Sequence, residues 1–267
     1  MPSVNPQVIL WIGQMGDGDQ VVAFFAYQSL VEEVLHTSAP GRKEAAEALV
    51  AALGEALTAR ARPRGAGGQP ASFGNNPFLN AVATQTVEYQ HPPRARANLA
   101  RLLGWLPLSS AVPHLAKALD DLEARDAARC ALESNPAEEA TGALMGAFDA
   151  AGTSFRVGVL NSLARRKGER VAAVLRKAAE DPHLEVRVAA LHALAEIPNP
   201  AHAANLEMSA RSTSAEERRQ AHIALIRLAD TLRTAGTRDA AARIWRSVLN
   251  SDAGEPQKNA ARLALGA

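Results

Sequence analysis

Apolar and polar positions recur along this chain with helical spacing, and one helical pattern returns at a regular interval. An Arg is followed three residues on by a small or aliphatic residue, six on by another, and seven on by Leu. The copies are Arg96-Leu99-Leu102-Leu103, Arg125-Ala128-Ala131-Leu132, Arg156-Val159-Ser162-Leu163, Arg187-Ala190-Ala193-Leu194 and Arg218-Ala221-Ala224-Leu225. A sixth copy leads with Lys: Lys258-Ala261-Ala264-Leu265. Successive leading residues lie 29, 31, 31, 31 and 40 positions apart. Residues three, six and seven positions after the Arg share one helical face, so that face is the buried one. Self-similarity at this period marks a stack of repeats rather than a single globular core.

Each copy reads as the second helix of an antiparallel pair. The pattern predicts first helices over 109–119, 137–149, 168–180, 200–210 and 237–249. They lead into second helices over 122–133, 153–165, 183–196, 214–230 and 256–265. The punctuation agrees: Asn135-Pro136, Asp181-Pro182 and Pro198-Asn199-Pro200 fall at the joints, where Pro can start a helix but not continue one. Ser109, Ser154 and Ser214 are candidate N-caps, and Ser214 with Glu217 has the capping-box spacing. Two segments interrupt the pattern. Residues 41–60 form an amphipathic helix (Ala45, Leu49, Ala52, Leu53, Leu57) with no place in the pairwise scheme. A Gly/Pro-rich loop follows at 61–76, and limited proteolysis is expected to cut there first.

The stretch Asp181-Pro182-His183-Leu184-Glu185-Val186-Arg187, running on to Leu194, resembles the HEAT repeat, in particular the short bacterial PBS-lyase HEAT-like variety. The resemblance implies an all-α fold: a right-handed α-solenoid of about seven antiparallel helix pairs whose second helices line the concave side. It also implies a structural ladder in which the leading cations, Arg96, Arg125, Arg156, Arg187, Arg218 and Lys258, meet acids in the turns of adjacent repeats. Asp121 and Asp181 match the turn acid, and Asp149 matches it loosely. Near the start the pattern weakens, with Ala23 where the Arg belongs. The expected organisation is therefore 1–60, divergent N-terminal helices with the inserted helix; 61–76, the loop; 77–230, HEAT-like repeats; and 231–267, a C-terminal repeat and cap.

Composition narrows the picture. Hydrophobic residues are 47% but aromatics only 4%, so Ala-rich helices carry the core and strand-forming runs are nearly absent. The net charge of +1 argues against bulk attraction to nucleic acid or membrane, although residues 154–267 are basic and 1–153 acidic. Cys130 is the only cysteine, which excludes a disulfide framework and a cysteine metal cluster. There is no signal-like n-region and no apolar run of the ~18 residues a membrane span needs. A cytoplasmic monomer is expected.

Candidate chemistry is sparse. The seven histidines make no His-x-x-x-His or His-Glu-x-x-His spacing, so no metal is expected. Trp11, Trp105 and Trp245 are expected in core packing or at helix ends. No nucleophile has a base at motif spacing, and no Gly-rich phosphate loop is present. Counting one, five and nine residues after the ladder positions gives a candidate concave binding face: Arg101, Trp105, Asp126, Cys130, Asn161, Arg165, His192, Glu196, Arg219 and Arg227. The reading is a non-catalytic scaffold without cofactor, binding a protein or peptide on that face. The alternatives are a bilin-lyase-like enzyme, which would need a concave acid or Tyr cluster beyond Tyr27 and Tyr89, and weak nucleic-acid binding through the basic half.

Overall fold

The computed structural model describes residues 6–15, 19–36, 39–60, 93–106, 108–150 and 152–266. Among them are fourteen α-helices, one short 3-10 turn and no strand. In chain order the helices are α1 (Pro6–Gln14), α2 (Gln20–His36), α3 (Ala39–Arg60), α4 (Pro93–Leu103), α5 (Val112–Ala118), α6 (Arg125–Ser134) and α7 (Glu138–Ala150). There follow α8 (Thr153–Arg166), α9 (Glu169–Ala178), α10 (Leu184–Ala195), α11 (His202–Ser209), α12 (Ala215–Thr234), α13 (Arg238–Leu249) and α14 (Glu255–Leu265). The fold is all-α, with helices in repeating pairs of the HEAT-like solenoid kind. The Gly/Pro-rich loop at 61–76 and the start of the repeat segment at 77–92 lie outside the described residues.

The repeat pattern is a packing pattern. In the first five copies every side chain three, six and seven positions after the leading Arg is at most 3% exposed, from Leu99 to Leu225. The sixth copy relaxes: Ala261 is buried, but Ala264 and Leu265 are only half-buried at the end of the last helix. Each fully buried Leu in this stripe contributes roughly 1.5–3 kcal/mol relative to an exposed one. Small Ala side chains between the Leu positions let neighbouring helices approach closely.

The chain forms two compact units, 1–143 and 144–267, and the boundary falls inside α7. In the first unit α1, α2 and α3 pack on one another, and α4 packs on α6 as one second helix on the next. The helix expected to stand outside the pairwise scheme, α3, packs on α1, α2, α4 and α5. Its Gly54 makes room for this: a Cβ there would lie 2.6 Å from the His114 ring of α5. In the second unit α8, α10, α12 and α14 pack successively, and α9, α11 and α13 each pack against the second helix that follows. The 40-residue step from Arg218 to Lys258 has a simple source. Helix α12 runs for 20 residues where α10 has 12, and α13 has 12 where α11 has 8. No helix among the described residues is long and apolar enough to cross a membrane.

Candidate functional site: the ladder and the second-helix face

The ladder residues lie in the first turn of the second helices, and two of the guanidiniums bond the turn that precedes their own helix. Arg187 Nη1 donates to the carbonyls of Asp181 (2.7 Å) and Pro182 (3.1 Å). Arg218 Nη1 makes the same pair of bonds to Ser212 (2.8 Å) and Thr213 (3.1 Å). These carbonyls precede the helix and have no partner in its ladder of backbone bonds, so the Arg ties the turn to the helix start.

Three ladder cations reach an acid of a later turn or helix. Arg96 Nε donates to Asp121 Oδ2 at 2.5 Å, and both side chains are buried. Arg156 pairs with Asp181 and also lies over the Phe148 ring, 4.3 Å from its centroid. Its Nε is buried and has no hydrogen-bond acceptor among the described residues. Arg187 Nε and Nη2 converge on Glu217 Oε2 at 3.1 and 2.8 Å. Arg125 is half-buried. The side chain of Lys258, also half-buried, makes no hydrogen bond or ion pair with the described residues. The loosely matched Asp149 is engaged by Lys177 at 3.4 Å rather than by a ladder Arg.

Electrostatics follow from these contacts. Burial would raise the Asp181 carboxyl, but the His183 backbone amide and ring and the Arg156 guanidinium outweigh it and hold the group below its ordinary value. Burial likewise pushes Glu217 up, and Arg187 and Ser212 together bring it below its ordinary value. Arg187 is raised in turn by its bond to Glu217. Glu217 was visible in the sequence only as a capping-box partner. Its amide does donate to Ser214 Oγ at 3.3 Å, but its carboxylate serves Arg187 and the Ser212 hydroxyl (2.9 Å). The overlooked signal was Ser212 itself, which stands six residues before Arg218 as Asp181 stands before Arg187. With no acid in that turn, Arg187 takes one from the helix start.

The candidate face is populated as follows. Arg101, Trp105, Asp126, Cys130, Asn161, Arg165, Arg219 and Arg227 are exposed, and His192 and Glu196 are half-buried. In the second unit α10 and α12 are joined across this face. His192 Nε2 meets Gln220 Oε1 at 2.9 Å, and Arg227 Nε meets Glu196 Oε1 at 2.9 Å. Arg219 and Gln220 both converge on Glu216. The Asn161 amide is exposed and makes no hydrogen bond with the described residues.

In the first unit the helix ends short of one candidate. Helix α4 stops at Leu103, so Trp105 sits in the following turn, its amide donating to Leu102 O. At 57% exposure Trp105 is not in the core and stands at the helix end, the other of the two positions expected for the tryptophans. Trp245 is in the core: it is 3% exposed, with the Arg233 guanidinium 5.9 Å from its ring. Trp11 is half-buried. Beside the exposed Cys130, Arg129 lies 3.6 Å from both Asp126 and Glu133. Among the described residues no group of three or more His, Cys, Asp or Glu side chains is placed to hold a metal ion.

The family model for HEAT repeats matches residues 143–227. That span holds Arg156, Arg187 and Arg218 with both of their tied turns. No curated protein matches the chain. Similar solved structures include the complex of CpcE and CpcF of phycocyanin lyase from Nostoc sp., 23% identical over 99% of this chain and 88% of that one, with a TM-score of 0.44. Human deoxyhypusine hydroxylase in complex with glycerol is 16% identical over 98% of this chain and 96% of that one, with a TM-score of 0.36. A designed armadillo repeat protein in complex with the peptide (KR)4 is 18% identical over 99% of each chain, with a TM-score of 0.29.

Proposed function

We propose that this chain is a non-catalytic scaffold that binds a protein or peptide segment on the face formed by its second helices. One observation carries the reading. From Arg125 to Arg218 the residues one, five and nine positions after the ladder cations stay exposed or half-exposed, whereas those at three, six and seven are buried. Packing therefore accounts for the apolar stripe and leaves the polar stripe to a partner. The ladder itself is engaged internally, since Arg96, Arg156 and Arg187 already meet carboxylates of this chain. In the second unit the middle row of the stripe is Asn161, His192 and half-buried Ile223, between Val157, Val188 and Arg219 on one side and the charged Arg165, Glu196 and Arg227 on the other. Such a mixed strip suits a peptide read through both hydrogen bonds and apolar contacts.

The test is site-specific photocrosslinking in extract from cells that make the protein. A photoreactive residue at Asn161 or Arg219 is expected to capture one discrete partner, and the same residue at the exposed Ala173 or Lys177 on α9 is expected to capture none. Equal capture from α9, or no discrete product from Asn161 and Arg219, rules the reading out.

A further inference from the structure

The second unit has another surface whose chemistry the scaffold reading does not use. Helices α11 and α13 both pack on α12, and α13 is half as long again as α11. Between them lies a depression of about 160 Å³ lined by Pro200, Ala203, Glu207, Ala240, Arg243 and Ile244. Its floor is apolar: Ile244 and Ala240 are buried, and Ala203 is half-buried. Met208, one residue beyond Glu207, is 54% exposed.

The rim is charged and unevenly satisfied. The Ser247 hydroxyl donates to Glu207 Oε1 at 2.9 Å, which holds this carboxylate across the two helices. Arg243 has no ion-pair or hydrogen-bond partner for its side chain among the described residues. The same holds for Arg246 one turn on, for Arg238 at the start of α13 and for Arg211 just past α11. All four are exposed, and the only carboxylates on these two helices are Glu207 and Asp239. Elsewhere in this unit most exposed cations are paired, as in Arg227 with Glu196, Lys177 with Asp149 and Arg219 with Glu216. Unpaired guanidiniums beside an apolar hollow complement a carboxylate next to an apolar side chain. The hollow is of side-chain size, too small for a large cofactor.

We propose that the α11–α13 depression is a docking site for an acidic peptide segment of a partner protein. An aliphatic side chain would seat against Ala203, Ala240 and Ile244, and its neighbouring Asp or Glu would meet Arg243 and Arg246. This site is separate from the second-helix face, so either can fail without the other. The apolar floor favours such a peptide over a nucleic acid, which would offer phosphates but no aliphatic group for the hollow.

The experiment is amide chemical-shift mapping on the full chain with three probes: a capped peptide containing Asp-Leu-Glu, the same peptide with Lys-Leu-Lys, and a short oligothymidylate. The acidic peptide is expected to shift amides around residues 203–207 and 240–247. Arg243→Glu, an exposed position, is expected to weaken it by roughly tenfold or more. Ala203→Val narrows the hollow and is expected to weaken binding of the Leu peptide more than that of an Asp-Ala-Glu control. Equal binding of the basic peptide, oligothymidylate shifts at the same amides, shifts confined to the second-helix face, or no shift at all would each overturn the proposal.

Discussion

Two turns of the second unit, 181–187 and 212–218, lie 31 residues apart and do the same work with different residues. In each, the ladder Arg clasps two carbonyls of its own turn at nearly identical distances. In the first, the turn residue is Asp181, which accepts from the preceding repeat's Arg156 and from the His183 amide. In the second it is Ser212, whose hydroxyl donates to Glu217, and Glu217 accepts from Arg187. What the repeat preserves is a negative charge where the preceding guanidinium arrives. The residue that supplies it can move from loop to helix start, five positions along the chain.

The comparison breaks most severely at Glu217. It is the carboxylate bonded to Arg187 and is 5% exposed, so Glu217→Ala leaves a partly buried guanidinium without its acid. The expected loss is about 3–5 kcal/mol, as for breaking one side of a buried pair. A urea midpoint that stayed unchanged would mean that Arg187 finds another acceptor. Asp181→Asn keeps the shape and the acceptor for the His183 amide but removes the charge facing Arg156. Here about 1.5–3 kcal/mol is expected, because Phe148 still covers the guanidinium. Arg218→Met removes only the clasp on the turn carbonyls and keeps most of the aliphatic packing, for about 1 kcal/mol. If Arg218→Met cost more than Glu217→Ala, the clasp rather than the acid would be the principal bond of the ladder.

The same unit should lose stability in two stages on acidification. His202 is fully buried, donates from Nδ1 to Leu194 O, and has a buried Nε2 with no partner among the described residues. Burial lowers its pKa below 6.5, and burial likewise lowers that of His222. A histidine depressed in the folded state takes up its proton more readily when unfolded. Its contribution is therefore present above about pH 6.5 and is lost as pH falls toward the lower folded value. Asp181 and Glu217 are depressed too, so their contribution persists until pH falls below their ordinary values of 3.8 and 4.5. Thermal melts from pH 8 to pH 3 should show both stages, and His202→Gln should blunt the upper one. A flat profile between pH 7 and pH 5 would show that neither histidine is held neutral by the fold.

Much of the architecture was legible because burial enforces it. A polar residue at the positions occupied by Leu163, Leu194 or Leu225 would lie in the core, so helical spacing exposes the second helices directly. The joints were legible for a similar reason, since Asp181-Pro182 and Pro198-Asn199-Pro200 cannot continue a helix. The packing of α3 was less visible, because it depends on Gly54 admitting the His114 ring from a helix some 60 residues away, and no local spacing records that. Trp105 was misjudged by counting along a helix that ends two residues before it. The exposed stripe could be enumerated from the period, but its cross-helix bonds, His192 to Gln220 and Glu196 to Arg227, join residues 28 and 31 apart and emerge only from packing.

The smallest expected effect gives the sharpest form of the comparison between the turns. Ser212→Asp places at the second turn the residue that the first turn has at Asp181. In the wild-type background the new carboxylate faces Glu217, since the Ser212 hydroxyl now lies 2.9 Å from Glu217 Oε2. Two like charges at that separation are destabilising, so the single variant should melt lower. In a Glu217→Gln background the repulsion is absent, and Asp at position 212 can accept from the Ser214 amide, which now bonds the Ser212 hydroxyl at 3.2 Å. It would also lie next to the point that Arg187 Nε and Nη2 now reach at Glu217 Oε2. The double variant should therefore return to within about 0.5 kcal/mol of wild type, with a coupling energy of about 1–3 kcal/mol across the cycle. Strict additivity of the two single changes would show that Arg187 reads Glu217 alone, and that the two turns are similar in backbone but not interchangeable in charge.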